Sequence, residues 1–151
     1  MPEKETIECA QKDAEEGKAP STQAGEFVRE EMDHIREGKH GARSAKQAIA
    51  IGLSKARRAG VDLPPPKKGT VPESTRIQAA RETAKSHSSR PAPVSKTRSK
   101  ATTKALKRES HAAASHTALS RHAKSAAASH TKAERSQAAK KGARTRKANE
   151  K

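Results

Sequence analysis

Residues 25–61 contain the two clearest helix signals of the chain, in the sequence GEFVREEMDHIREGKHGARSAKQAIAIGLSKARRAGV. In its first half, Val28, Met32 and Ile35 follow the i, i+4, i+7 spacing that places side chains on one face of a helix. Acidic residues are concentrated near the start of this segment, which suits the helix dipole. Gly38 is a residue type at which helices commonly end, so the pattern predicts a first helix that stops there.

A second helix is predicted between residues 44 and 60. Its apolar stripe consists of Ile49, Leu53 and Ala56, with Ala45, Ala48 and Gly52 beside it. Ser44 and Gln47 have the spacing of a capping box, in which the serine side chain accepts a hydrogen bond from the first turn. Gly60 followed by Val61 is typical of a helix end at which the chain folds back on the last turn.

The two predicted helices are joined by the short link KHGARS and should form a helical hairpin. The predicted core consists of Phe27, Val28, Met32, Ile35, Ile49, Ile51, Leu53, Val61 and Leu63. This core is thin, because each large side chain contributes about 1.5–3 kcal/mol when it is fully buried. A third helix, for which residues 73–86 are the candidate, or a partner protein would complete it.

The composition excludes several classes of protein. The chain has 151 residues, 30% of them hydrophobic, with one Phe, no Tyr and no Trp. Globular domains usually contain about 45–50% apolar residues, so neither a single compact domain nor an enzyme with a deep apolar pocket is expected. Cys9 is the only cysteine, which excludes an intrachain disulfide and a cysteine zinc cluster. The acidic N-terminus is unlike a signal peptide and no apolar run could span a membrane, so we expect a cytoplasmic protein without a membrane partner.

Charge divides the chain into an acidic head and a basic tail. Residues 1–37 have a net charge of −6, residues 38–66 one of +5, and residues 67–151 one of +17. Three consecutive prolines at 64–66 stop any helix between the two parts. The predicted organisation is an acidic disordered leader at 1–22, a helical hairpin at 23–63, a proline-containing basic linker at 64–94, and an Ala/Ser/Lys/Arg-rich basic tail at 95–151. The expected fold class is mainly α: a short helical hairpin followed by a largely disordered, conditionally helical basic tail.

The basic tail is the main functional signal, because its cations match the phosphates of a nucleic acid. The predicted nucleic-acid-binding residues are Lys96, Arg98, Lys100, Lys104, Lys107, Arg108, Arg121, Lys124, Lys132, Arg135, Lys140, Lys141, Arg144, Arg146 and Lys147. Such cations release counterions from DNA and bind it with little dependence on base sequence. The tail has no aromatic residue, so stacking on single-stranded bases is not expected. Duplex DNA is therefore the favoured partner, with RNA as an alternative.

The tail is also alanine-rich and contains a short repeat. The sequence AAASHT occurs at 112–117 and again at 126–131. Alanine favours a helix, whereas repulsion among the cations opposes one when the tail is alone. We therefore expect the tail to be largely unfolded in isolation and helical when its charge is neutralised.

The second predicted helix also has cations, which suggest a further binding surface. A secondary basic patch is predicted on exposed positions of this helix, at Lys46, Lys55, Arg57 and Arg58. A helix-turn-helix that reads bases is one interpretation of the hairpin, but its link is longer than the usual tight turn. A unit for self-association or for docking a protein partner is the favoured interpretation.

Two groups of residues resemble catalytic or metal-binding sets, and both have simpler interpretations. The acidic residues of the first helix are interpreted as a solvated face rather than as acid–base catalysts; they are Glu30, Glu31, Asp33 and Glu37. The tail histidines lack the i, i+4 spacing of a helical metal site; they are His111, His116, His122 and His130. We therefore expect neither catalysis nor a metal or other cofactor.

Residues 26–69, EFVREEMDHIREGKHGARSAKQAIAIGLSKARRAGVDLPPPKKG, resemble a small, uncharacterised bacterial family whose members are often labelled DNA-binding or plasmid stabilization proteins. The most distinctive part is KQAIAIGLSKARRAG at 46–60. The tail is similar in composition to bacterial linker-histone-like proteins, although it lacks repeated Lys-Pro units. The resemblance implies a bacterial, nucleoid-associated protein and assigns no catalytic residue.

The expected function is non-enzymatic, sequence-tolerant DNA binding through phosphate contacts of the tail. Two alternatives stay open. One is an accessory protein of plasmid maintenance that docks a partner through the hairpin. The other is a hydrophilin-like stress-protection protein whose polar tail has no fixed partner.

Overall fold

The computed structural model describes residues 2–87 and 95–149, and these residues are mainly helical with no β-strand. The helices are α1 (Lys4–Glu15), α2 (Pro20–Arg36), α3 (Ala45–Arg58), α4 (Glu73–Ser86), α5 (Lys96–Leu106), α6 (His116–Ala128) and α7 (Lys132–Asn149), with a 3₁₀ turn at His111–Ala114. The predicted mainly α class is therefore confirmed. Within the described ranges, none of the helices has the length and apolar character needed to cross a membrane. The chain divides into two units, residues 1–115 and 116–151.

The hairpin of α2 and α3 has the capping interactions that its sequence predicts. Gly38 adopts a positive φ of 77°, which lets the chain reverse after α2. At the start of α3, the Ser44 hydroxyl accepts a hydrogen bond of 3.2 Å from the backbone N–H of Gln47. Gly60 has a φ of 100°, and the Val61 N–H donates back into the last turn of α3. Local chemistry thus determines where both helices end.

The buried stripes of α2 and α3 are displaced from the predicted ones. In α2 the stripe contains Ala24, Phe27, Glu31 and Ile35, all with no exposed surface. In α3 it consists of the small residues Ala45, Ala48, Gly52 and Ala56. A Cβ atom on Gly52 would lie only 2.7 Å from the Cα of Val28, so the two backbones approach closely at this point. Small residues on α3 therefore allow the tight helix contact.

The predicted core is buried in part. Five of its members are buried: Phe27, Met32, Ile35, Val61 and Leu63. The other four are half-buried: Val28, Ile49, Ile51 and Leu53. They are only partly covered because the α3 stripe of small residues, rather than the larger side chains beside it, is the fully buried face.

Helix α1 lies in the segment 1–22, which we expected to be disordered. It packs on α2, and Ala10 and Ile7 add to an apolar cluster that includes Phe27. Gly17, with a φ of 71°, ends the helix, and Lys18 then pairs with Asp13 at 2.7 Å. Residues 4–15 are therefore helical where we expected disorder, because Ile7 and Ala10 place an apolar face of α1 on the hairpin.

Helix α4 occupies the segment proposed for a third helix and packs on α3. Ala79 is buried, and the Ser54 hydroxyl of α3 donates a hydrogen bond of 2.7 Å to Glu82. The Thr83 hydroxyl donates to the Leu63 carbonyl at 3.3 Å, which ties α4 to the chain after α3.

The first part of the tail packs against the hairpin. The Gly41 N–H donates to the Leu106 carbonyl at 2.9 Å, and the Ala42 N–H donates to the Ser110 carbonyl at 3.0 Å. Ala113 and Ala114 of the 3₁₀ turn are buried. The first AAASHT copy thus begins in a docked turn, whereas the second copy, at 126–131, is exposed at the end of α6.

Candidate functional site

All fifteen predicted nucleic-acid-binding cations are exposed in the structure. Along α5 and its C-cap, lysines recur every three or four residues, at 96, 100, 104 and 107, which places them on one face of the helix. In α7, Lys140, Arg144 and Lys147 recur in the same way. Neighbouring cations on such a face lie about 6 Å apart along the axis, at 1.5 Å per residue. Each helix can therefore present a row of cations to a phosphate backbone.

The secondary basic patch does not form as predicted. Lys46 and Arg58 are exposed, but only 14% of the Lys55 side chain is accessible, and Arg57 is buried. Burial lowers the pKa of the Arg57 guanidinium, and its only hydrogen bond in the described structure goes to the Pro64 carbonyl at 3.4 Å. The prediction was wrong because Lys55 and Arg57 lie beside the α3 stripe of small residues, which faces the interior.

The acidic residues of α2 were interpreted as a solvated face, but two of the four are buried. Glu30 is 6% exposed and Glu31 is fully buried. Only Asp33 and Glu37 keep about half of their side chains accessible, at 48% and 57%. The interpretation was wrong for Glu31 because it lies in the same stripe as Phe27, one turn further along the helix. It was wrong for Glu30 because this residue faces Lys55 of α3.

Lys55 joins the two buried carboxylates. Its ammonium lies 2.7 Å from Glu31 Oε2 and 3.1 Å from Glu30 Oε1. Two histidines flank the pair: His40 Nε2 is 3.4 Å from Glu31 Oε1, and His34 Nε2 is 3.8 Å from Glu30 Oε1. We call these five residues the buried charged cluster. A buried ion pair of this kind depends on its partners, because removing one leaves an uncompensated charge.

Glu3, just before α1, closes the cluster on its outer side. Its backbone N–H donates to Glu30 Oε2 at 3.3 Å, and its carboxylate contacts His34 Nε2 at 2.8 Å and the Lys39 ammonium at 3.1 Å. Hydrogen bonds from His34 and Lys39 lower the pKa of Glu3. Glu3 and the start of α1 are therefore held against α2 by charge as well as by apolar packing.

A cleft of about 320 Å³ lies between α1 and α2 and reaches the buried charged cluster. Its lining is mostly acidic: Glu3, Glu5, Glu26, Glu30, Asp33 and Glu37, with Arg29, Lys39, His34, Thr6 and Cys9. His34 belongs to both the cleft and the cluster. Cations in solution can therefore approach His34 through an acidic entrance.

Sequence reasoning missed this cluster, although one signal was present. Glu31 and His34 have the i, i+3 spacing that places two side chains on one helix face. His40 follows the reversal at Gly38, which returns the chain alongside the end of α2. The pairing with Lys55 is a contact between two helices, and no local pattern predicts it.

Residues 19–68 match a family of unknown function, DUF6496. No curated protein and no solved structure is significantly similar to the chain. The matched segment contains α2, α3 and all five residues of the buried charged cluster, whereas α1 and the basic tail lie outside it. It is therefore the hairpin, with its charged interior, that is similar to this family.

Proposed function

We propose that the protein binds duplex DNA without sequence preference, in the manner of a nucleoid-associated or linker-histone-like protein, through phosphate contacts of its basic tail. The single observation that carries the proposal is the exposure of all fifteen predicted cations along α5, α6, α7 and their connections. Exposed lysines and arginines are free to replace the counterions of DNA.

The distribution of acidic residues supports the same function. Many carboxylates of the first unit already have cationic partners there, such as Glu31 with Lys55 and Asp13 with Lys18. Residues 67–151 contain 22 basic and 5 acidic residues, so most of their cations have no carboxylate to pair with inside that segment. A polyanion is the partner that balances this charge.

The helix content of the tail is part of the same proposal. Helices α5 and α6 have no buried residue, and every α7 side chain described is exposed. Helices of this kind rely on alanine propensity instead of packing, and short ones are marginal in water. We propose that DNA neutralises the repulsion among the cations and increases the helix content of the tail on binding.

A salt titration with the full chain tests DNA binding. The affinity for a 30-base-pair duplex would be measured by fluorescence anisotropy at several salt concentrations. If about six to ten cations contact phosphates, affinity should fall about 10³–10⁵-fold between roughly 50 and 200 mM salt. Weak binding with little salt dependence would refute the proposal and favour the stress-protection alternative.

A matched pair of triple variants locates the contacts. Replacing Lys140, Lys141 and Arg144 by Gln should reduce the slope of log affinity against log salt by up to about 2.7, at about 0.9 per phosphate contact. Replacing Lys4, Lys12 and Arg29 by Gln removes the same charge from exposed positions of the first unit. Equal effects of the two triple variants would show that net charge, and not the tail, determines binding.

The hairpin would supply self-association or docking of a protein partner in this proposal, and the protein would be found on the bacterial nucleoid. Light scattering of the full chain, with and without DNA, reports self-association. If a specific plasmid-maintenance partner bound the hairpin and DNA affinity were weak, the accessory-protein alternative would replace the proposal.

A further inference from the structure

The carboxylate of Glu31 is buried, yet only one of its oxygens lies beside a cation. Lys55 is 2.7 Å from Oε2, whereas Oε1 faces the His40 ring at 3.4 Å. Among the described residues, neither oxygen accepts a hydrogen bond of good geometry. A buried carboxylate needs a donor or a cation at each oxygen, so Oε1 requires something positive on the His40 side.

The hydrogen bond at the other ring nitrogen of His40 determines what can lie there. His40 Nδ1 is 3.1 Å from the Gly41 carbonyl oxygen, which can only accept, so Nδ1 holds a proton. A neutral His40 then directs the lone pair of Nε2 at Glu31 Oε1, and the two would repel. Either a second proton on His40 or a metal ion resolves the repulsion. A backbone carbonyl at the opposite nitrogen is also the usual support of a metal-binding histidine.

A third donor completes a ligand set. The donor atoms of Glu31, His34 and His40 all lie within 4.8 Å of one another. Tetrahedral zinc bonds of about 2.0–2.2 Å place two ligand atoms about 3.3–3.6 Å apart, so the three groups need to close by about 1 Å. His34 contacts Glu3 in the structure, and Lys39 can retain Glu3 when His34 turns to a metal ion.

Charge in this region also favours a divalent cation. Four carboxylates, those of Glu3, Glu30, Glu31 and Glu37, share two ammonium groups, those of Lys39 and Lys55. The carboxylates therefore outnumber the ammonium groups by two around this site. The acidic cleft between α1 and α2 gives an ion a route to His34.

We propose that Glu31, His34 and His40 form a binding site for Zn²⁺. Two imidazoles with one carboxylate suit zinc better than magnesium or calcium, which prefer oxygen ligands alone. The site needs no residue of the basic tail, so the proposal stands independently of DNA binding. It gives the hairpin a ligand of its own, bound between α2 and the link to α3.

Zinc affinity of the full chain, measured by competition with a chromophoric chelator near neutral pH, tests the site. We expect a single Zn²⁺ per chain. The variants His34→Gln and His40→Gln should each weaken binding by about 100-fold or more, since even outer partners of a metal site contribute about 10–100-fold. The variant His130→Gln removes an exposed tail histidine and should leave the affinity unchanged.

A second variant keeps the test valid if a cluster substitution prevents folding. Replacing the other five histidines by Gln leaves His34 and His40 as the only imidazoles; the five are His87, His111, His116, His122 and His130. This variant should bind zinc as the full chain does, and both remaining ring signals should shift in NMR spectra. Loss of zinc binding in this variant would overturn the proposal, as would equal affinities of wild type and His40→Gln.

Discussion

The close approach of α3 to α2 at Gly52 gives a sharp prediction for Gly52→Ala. The added Cβ would lie 2.7 Å from the Cα and 3.0 Å from the backbone nitrogen of Val28. Carbon atoms prefer a separation of about 3.5–4.0 Å, so the helices must move apart by about 1 Å. The Cγ2 atom of Val28 would also lie 2.9 Å away, but rotating this side chain cannot relieve the overlap with the two backbone atoms.

The expected change in the free energy of unfolding of Gly52→Ala is the difference between two opposing effects. Overpacking costs up to about 3 kcal/mol, whereas replacing glycine by alanine inside a helix stabilises it by about 1 kcal/mol. Gly52→Ala should therefore lower the free energy of unfolding by about 2 kcal/mol. Gly25→Ala is the matched control, because Gly25 lies in α2 and its Cβ would meet nothing within 4 Å. This control should raise the free energy of unfolding by up to about 1 kcal/mol.

Urea unfolding followed by circular dichroism at 222 nm measures both variants, since the chain has no Trp or Tyr for fluorescence. The same chemical change should move the two midpoints in opposite directions. If Gly52→Ala were as stable as Gly25→Ala, the helices would not be in contact at this position, and our account of the α3 stripe would be wrong.

Three further predictions concern other parts of the chain. Gly41→Ala would place a methyl group against the Glu109 carbonyl and release residues 106–114 from the hairpin, so trypsin should cleave at Lys107 and Arg108 faster; an unchanged cleavage rate would contradict the docking. The hydrogen bond from Arg76 lowers the pKa of Glu73 below 4.5, so this interaction stabilises the fold above that pH and is lost as the pH falls. Glu73→Gln should therefore lower the melting temperature at neutral pH, with a difference from wild type that shrinks in acid; a constant difference would argue against the pair. Gly142 has open space around its Cα, so Gly142→Ala should raise and Gly142→Pro should lower the helix content of α7. Neither substitution changes charge, and equal DNA affinities of the two variants would mean that the tail does not bind as a helix.

Local signals predicted the hairpin well. Gly38, Ser44 and Gly60 mark helix ends because their preferences depend on the backbone of one or two turns. Ile35 was assigned to the core from its helical spacing with Val28 and Met32, and Phe27 because it is a large apolar residue beside that stripe. These parts of the fold could be predicted because the interactions that determine them join residues close together in sequence.

Long-range pairing was not predictable by the same means. Glu31 has the spacing of a core residue but the chemistry of a surface one, and only Lys55 on another helix makes its burial acceptable. The packing of α1 was unpredictable for the same reason. Its acidic composition indicates a solvated segment, and the contacts of Glu3 with His34 and Lys39 join residues that are far apart in sequence. The candidate metal site consists of such contacts, so a search of the tail histidines alone could not reveal it.

The pairing of Lys55 with Glu31 also bears on how α2 and α3 find their alignment. The buried face of α3 is made of alanine and glycine, and Gly52 is the position at which its backbone meets that of Val28. Sliding α3 by one turn, about 5.4 Å, would bring an alanine to this contact and force the helices apart. It would also separate the ammonium from a fully enclosed carboxylate, at a cost of about 3–5 kcal/mol. The ion pair and the glycine contact therefore select the same axial alignment of the two helices.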